Sequence, residues 1–233
     1  MLGHRGARQR APENTLAAFD LAAREGADGV ELDVRLDGSR EVVVLHDRTL
    51  GRVTGGEDRD VESVTTRELE QISLPGGEKV PVLRDVLDWA VQRGTCVNIE
   101  LKPDVSRRDW LVRRVAALAR RVPEAPTRLI LSSLDPSILA GLWRFAPQIP
   151  RAWVIAPPLR PYWREPLWPG LGTVCAHPHV SLIDEARVAA VHRRGAVVNV
   201  WTVNEGLDAR QLASWGVDGI ITDDPKGIVG ALP

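Results

Sequence analysis

Glu31 and Asp33 stand two residues apart in a run of strand formers, Val30-Glu31-Leu32-Asp33-Val34, so both carboxylates share one face of a strand. Asp37-Gly38 then supplies turn chemistry, and residues 42–45 read as a return strand ending at His46. A short hairpin therefore carries an acidic pair and an imidazole to one place. Glu100 and Lys102 repeat the two-residue spacing further along, and His4-Arg5 lies near the N-terminus. Buried like charges are very costly without a compensating cation. Hard oxygen donors without cysteine suit Mg²⁺ or Ca²⁺ rather than Zn²⁺, so the expectation is one divalent cation held by Glu31, Asp33 and Glu100. The alternative is a buried ion-pair network around Lys102 and Arg5. His4 and His46 near one cation suit general acid and base work, because imidazole titrates near neutrality. Arg5 and Lys102 either offer positive charge to an anionic substrate, Arg5 through a planar fork that matches phosphate, or only neutralise the acids. His177 and His179 are weaker candidates, and His192 in a basic helix reads as surface.

Strand and helix signals alternate along the chain, which predicts a parallel sheet. Strands are expected at residues 2–5, at 30 onward in the hairpin, and at 96–101, 129–132, 152–155, 173–176, 196–201 and 219–222. Helices are expected at 15–25 (capped by Asn14 and closed by Gly26), 83–93, 110–121, 136–145, 183–194 and 205–215, with a short one at the C-terminus. Residues 157–170 hold five prolines and three aromatics, so any helix there is short and broken. Residues 48–81 are irregular, with one weak helical turn near 66–72, and read as an insertion at the ligand face. The fold expected is α/β, an eight-stranded parallel (β/α)8 TIM barrel with a small insertion after the second-strand hairpin. Chemistry in such barrels sits at the C-terminal strand ends, where His4-Arg5, Glu31/Asp33, Glu100/Lys102, Ser132/Ser133, His177 and Trp201 all fall.

The chain has 233 residues and fits one domain, residues 1–233, with the insertion at about 48–81. A net charge of -1 gives no global field to attract nucleic acid or an anionic membrane. No apolar run approaches the roughly 20 residues that span a bilayer, and the N-terminus lacks a secretory h-region. Cys96 and Cys175 read as small core residues rather than a disulfide framework. The expectation is a cytoplasmic protein with no nucleic-acid partner and no stable membrane insertion. Nothing in the sequence speaks to oligomeric state.

Seven ordered motifs carry a family resemblance: GHRG at 3–6, ENTLAAF at 13–19, GADGVELDVRLDG at 26–38, VVLHD at 43–47, IELKP at 99–103, VWTVN at 200–204 and GVDGIITDDP at 216–225. Together they resemble the glycerophosphodiester phosphodiesterases from end to end. The resemblance implies a βα barrel and metal-dependent hydrolysis of a glycerophosphodiester, a small molecule, to glycerol 3-phosphate and an alcohol. It implies His4 and His46 as the acid–base pair, and Glu31, Asp33 and Glu100 as divalent-metal ligands. Arg5 and Lys102 then belong to the phosphate site. Trp201 matches an aromatic that lines the substrate pocket, with core packing as its alternative role. Glu13, Asn14 and Thr15 read as helix-start and loop-bracing residues, and Asp223-Asp224 are assigned no chemistry. The chain departs from the family pattern at Leu134, where an aromatic is usual. Other readings are a lysophospholipase D-like activity, with an acyl chain held by the Pro/Trp segment 153–171, and a non-catalytic phosphate-ligand barrel.

Overall fold

A computed structural model describes residues 1–56, 58–158 and 171–232. Among them run nine strands: β1 (Leu2–His4), β2 (Gly29–Leu36), β3 (Val42–Val44), β4 (Cys96–Leu101), β5 (Leu129–Ser133), β6 (Arg151–Ile155), β7 (Cys175–Pro178), β8 (Val197–Val200) and β9 (Gly219–Thr222). Eight are parallel in the order β1-β9-β8-β7-β6-β5-β4-β2, and pairing of β1 with β2 closes the sheet on itself. Helices surround it, and the architecture is the (β/α)8 barrel. β3 is the return arm of the hairpin, antiparallel to β2 with Val44 opposite Val34.

Strand alternation divides the residues by chemistry. Val30, Leu32, Val97, Ile99, Leu101, Leu129 and Leu131 belong to the main hydrophobic cluster under the helices. His4, Glu31, Asp33, Glu100 and Ser132 take the other parity and so face the barrel interior. Pairing then sets them side by side: His4 opposite Glu31, Asp33 opposite Glu100, Glu100 opposite Ser132.

The helices follow their sequence signals with small shifts. Leu16–Arg24 buries Ala18, Phe19 and Ala22. Its cap is Thr15, whose hydroxyl accepts from the Ala18 amide at 3.2 Å, rather than Asn14 as the sequence suggests. Asn14 instead adopts the left-handed region at φ 58°, which asparagine tolerates, and its side chain turns toward Asp33. Leu83–Arg93 ends at Gly94 with φ 66°, a conformation that glycine takes at no steric cost. Arg108–Ala119 starts and ends two residues earlier than expected: the added residues Arg108 and Asp109 are polar and carry no apolar period, and Arg120 is the C-cap.

The segment after β3 carries the expected turn at Thr66–Leu69, opened by a Thr65/Glu68 capping box. Three further short turns accompany it, at Gly51–Thr54, Val61–Ser63 and Pro75–Gly77. These pack over a small cluster of their own that includes Leu45, Leu50, Val61, Leu69 and Leu74. Most of the Pro/Trp segment, residues 159–170, lies outside the described residues. No helix among the described residues is long and apolar enough to cross a membrane.

Candidate active site

β2 and β4 deliver the acids. Glu31, Asp33 and Glu100 are all buried, and each presents an oxygen within 4.8 Å of the others. Arg5 donates its backbone N–H to Glu31 Oε2 at 3.1 Å, while Glu31 Oε1 is sealed from solvent with no hydrogen-bond partner. A carboxylate oxygen left in that state is costly unless a cation meets it. The donor set, three hard oxygens in reach of one point, fits a divalent cation.

Two cations of the chain already brace this cluster. Lys102 Nζ lies 2.8 Å from both Asp33 Oδ1 and Glu100 Oε1. Arg5 Nε lies 3.1 Å from Asp33 Oδ2, to which Asn14 Nδ2 also donates at 3.1 Å. The resulting electrostatics split the acids. Burial raises Glu31 well above the usual carboxylate range, and repulsion from Asp33 and Glu100 adds to it. Burial also opposes the charge on Asp33, but Lys102 and Arg5 more than offset it and hold that carboxyl well below its ordinary value. Lys102 is likewise disfavoured by burial and then carried above the usual lysine range by Asp33 and Glu100.

Each predicted imidazole is held at Nδ1 by an aspartate. His4 Nδ1 is 2.6 Å from Asp223 Oδ1, and its Nε2 lies 3.9 Å from Glu31 Oε2. His46 Nδ1 is 2.7 Å from Asp47 Oδ1. Burial pulls both aspartates toward neutrality, yet both are held below the ordinary range, Asp223 by His4 and Arg8 and Asp47 by Arg52 and His46. An ionised carboxylate only accepts, so Nδ1 carries the hydrogen in each ring and Nε2 is left for chemistry. Burial lowers the His46 pKa, with Lys102 and Arg5 adding to that effect and Asp33 opposing it, so this ring feels the acidic cluster directly.

Residues 4–227 match the model of the glycerophosphoryl diester phosphodiesterase family. The chain belongs to that family. It is 30% identical over 239 residues to the glycerophosphodiester phosphodiesterase of Caldanaerobacter subterraneus, covering 100% of this chain and 97% of the relative. It is 34% identical to the uncharacterized protein YqiK of Bacillus subtilis, over 97% of this chain and 95% of that one. Among solved structures it resembles an Oleispira antarctica phosphodiesterase in complex with the product sn-glycerol-3-phosphate, at 28% identity and a TM-score of 0.90, covering 99% and 95% of the two chains.

This phosphodiesterase thus brings most of its sequence-predicted site residues together. His4, Arg5, Glu31, Asp33, Glu100 and Lys102 form one contact network, and His46 is coupled to it electrostatically. Trp201 is half-buried at the same mouth, its ring centroid 6.4 Å from that of His4 and its Nε1 donating to the His177 carbonyl at 2.7 Å. His177 lies on the far side of the interior, where Asn199 Nδ2 donates to its Nε2 at 3.0 Å. His179 caps the turn Val180–Leu182, and His192 is exposed.

Asp223, to which the sequence reading assigns no chemistry, supports His4, while Asn14 and Glu13, read as bracing residues, brace Asp33 and three arginines respectively. Asp223 follows directly on β9, so the strand-end rule that selects the other residues also points to it.

Proposed function

We propose that the protein is a metal-dependent glycerophosphodiester phosphodiesterase that releases glycerol 3-phosphate and an alcohol by histidine acid–base catalysis. The observation that supports this most is the convergence of three buried carboxylates with two aspartate-held imidazoles at the C-terminal ends of the barrel strands. Glu31, Asp33 and Glu100 would hold the cation, Mg²⁺ or Ca²⁺, whose chemistry when bound is Lewis-acid stabilisation of charge on the phosphoryl oxygens. Arg5 and Lys102 add positive potential at the same point, so an anionic phosphodiester is favoured there. Asp33, held ionised by those two residues, supplies the fixed negative charge against which they stay in place. One imidazole, neutral and free at Nε2, accepts the proton of the nucleophile, either water or the neighbouring glycerol hydroxyl with water then opening the cyclic phosphate. The other, as the imidazolium protonated at both ring nitrogens, donates from Nε2 to the departing alkoxide. Trp201 walls the mouth beside His4.

The test is an assay of chelator-treated protein on a panel that includes glycerophosphocholine and lysophosphatidylcholine, with each cation restored in turn. Release of glycerol 3-phosphate and choline from glycerophosphocholine, lost on chelation and recovered with Mg²⁺ or Ca²⁺, is the expected outcome. Turnover indifferent to chelation removes the cation from the proposal. Preference for the lysophospholipid replaces the substrate assignment.

A further inference from the structure

The supports of His4 and His46 come from different parts of the chain, yet they run back to one carboxylate. On the first arm, Arg8 clasps Asp223 through Nε at 2.6 Å and Nη2 at 3.0 Å, and Arg8 Nη1 lies 3.5 Å from Glu13 Oε2. On the second, Arg52 Nε lies 2.5 Å from Asp47 Oδ2, while Arg52 Nη1 and Nη2 make a paired contact with both Glu13 oxygens at 2.8 Å. Arg5 adds a third guanidinium, its Nη1 3.0 Å from Glu13 Oε1. Three like-charged groups gather around a single anion whose side chain is only 11% exposed.

That geometry has an energetic consequence. The Arg52 side chain is 48% exposed and that of Asp47 is 29% exposed. An isolated pair so open to solvent orders its partners poorly, because screening and side-chain entropy cancel most of the attraction. The planar two-point contact with Glu13 is what fixes the fork and aims Nε at Asp47. Without a central anion, the three guanidinium groups repel one another. The first arm depends on the centre less, since Asp223 also accepts from Asn204 Nδ2 at 2.9 Å.

We infer that Glu13 is a shared positioning residue, the anchor through which the Arg8–Asp223 and Arg52–Asp47 arms hold the two imidazoles in the same tautomer. Glu13 touches neither ring and takes no proton; it acts through the arginines and aspartates. The inference rests on His4 and His46 being the acid–base pair proposed above. It adds that the pair is oriented jointly, so that one substitution remote from both rings disturbs both.

The experiment uses the full-length ¹⁵N-labelled protein and a long-range proton–nitrogen correlation of the imidazoles, which reports the ring nitrogen that carries the hydrogen. His4 and His46 signals are assigned by single His→Gln substitutions. In the parent protein both rings show the Nδ1–H form. Asp223→Asn shifts only His4, and Asp47→Asn shifts only His46. Glu13→Gln, which keeps the shape and removes the charge, shifts both, with the larger change at His46. It lowers kcat by about 10- to 100-fold, the range for a lost supporting contact, with KM little changed. Arg52→Gln leaves the barrel intact and shifts His46 alone, so a poorly folded Glu13 variant does not end the test. A folded Glu13→Gln protein in which neither ring shifts, or only one does, overturns the inference. Failure of the functional proposal shows separately, as absence of turnover in the unsubstituted protein.

Discussion

The two sides of the barrel interior are built by the same alternation and carry opposite electrostatics. On β1, β2 and β4, Asp33 and Glu100 are bound to Lys102 and Arg5 at ion-pair distances, and Glu31 accepts from the Arg5 backbone N–H beside them. On β7 and β8 the inward residues are neutral: His177 with Asn199, and Cys175, whose thiol burial pushes well up. His4 and His177 are the same residue type at equivalent strand ends, and both are buried. They differ in their partner. Asp223 gives His4 a fixed tautomer and a counter-charge, whereas His177 has no carboxylate partner among the described residues, and burial lowers it to about 3. On the proposed mechanism, the carboxylate behind the ring, rather than position at the barrel mouth alone, is what separates His4 from His177.

Substitution of the rings themselves tests this contrast most severely. His4→Ala or His46→Ala should lower kcat by about 10²–10⁴-fold, the usual contribution of a positioned acid or base. His177→Gln should leave kcat of the wild-type order, measured on the same substrate with the same cation. A loss at His177 equal to that at His4 would erase the distinction between the two sides.

Lys102→Met is the corresponding test of the charged side. It leaves Asp33 and Glu100 buried without their ammonium, and removal of one partner from such a cluster costs about 3–5 kcal/mol. Urea unfolding in chelator is the measurement. Asn199→Ala, which takes the neutral partner from His177, should cost only about 1–3 kcal/mol by the same method. Divalent cation should recover more stability in Lys102→Met than in the parent, because it finds the same carboxylates uncompensated. Equal losses on the two sides would mean that the ions of the charged side are as weakly held as neutral hydrogen bonds.

What was legible in the sequence, and what was not, follows the range of the contacts. Glu31 with Asp33, and Glu100 with Lys102, could be read because alternation is local and puts each pair on one face. Their convergence needed only neighbouring strands, β2 and β4, in register. The His4–Asp223 contact spans 219 residues and exists only once β1 and β9 close the barrel, so no local pattern announces it. Asn14 misled as a cap because its residue type suits a helix start, whereas its left-handed backbone hands that place to Thr15. Glu13 reads as a bracing residue, but of its arginine partners only Arg5 and Arg8 share its stretch; Arg52 comes from the segment after β3, which no local pattern relates to it. The short turns at 51–54 and 61–63 carry no measurable period, whereas Thr66–Leu69, equally short, is marked by the threonine that opens it.

The neutral side makes its own prediction, and the sign can be worked out. His177 titrates near 6.5 when unfolded and near 3 when folded, so below about pH 6.5 the unfolded chain binds a proton that the folded one refuses. Its contribution to stability is therefore complete above that pH and is lost as the pH falls, at up to about 1.4 kcal/mol per pH unit. Glu31, raised in the folded state, works in the opposite direction over part of the same range, so the absolute curve mixes the two. The difference between the parent and His177→Gln cancels that common background. Urea unfolding of both proteins at pH 7.5, 6 and 5 should show the parent losing stability faster than the variant, the gap widening toward pH 5. If the two curves stay parallel, His177 accepts its proton while folded. The neutral side would then be as open to charge as the side that carries the acids.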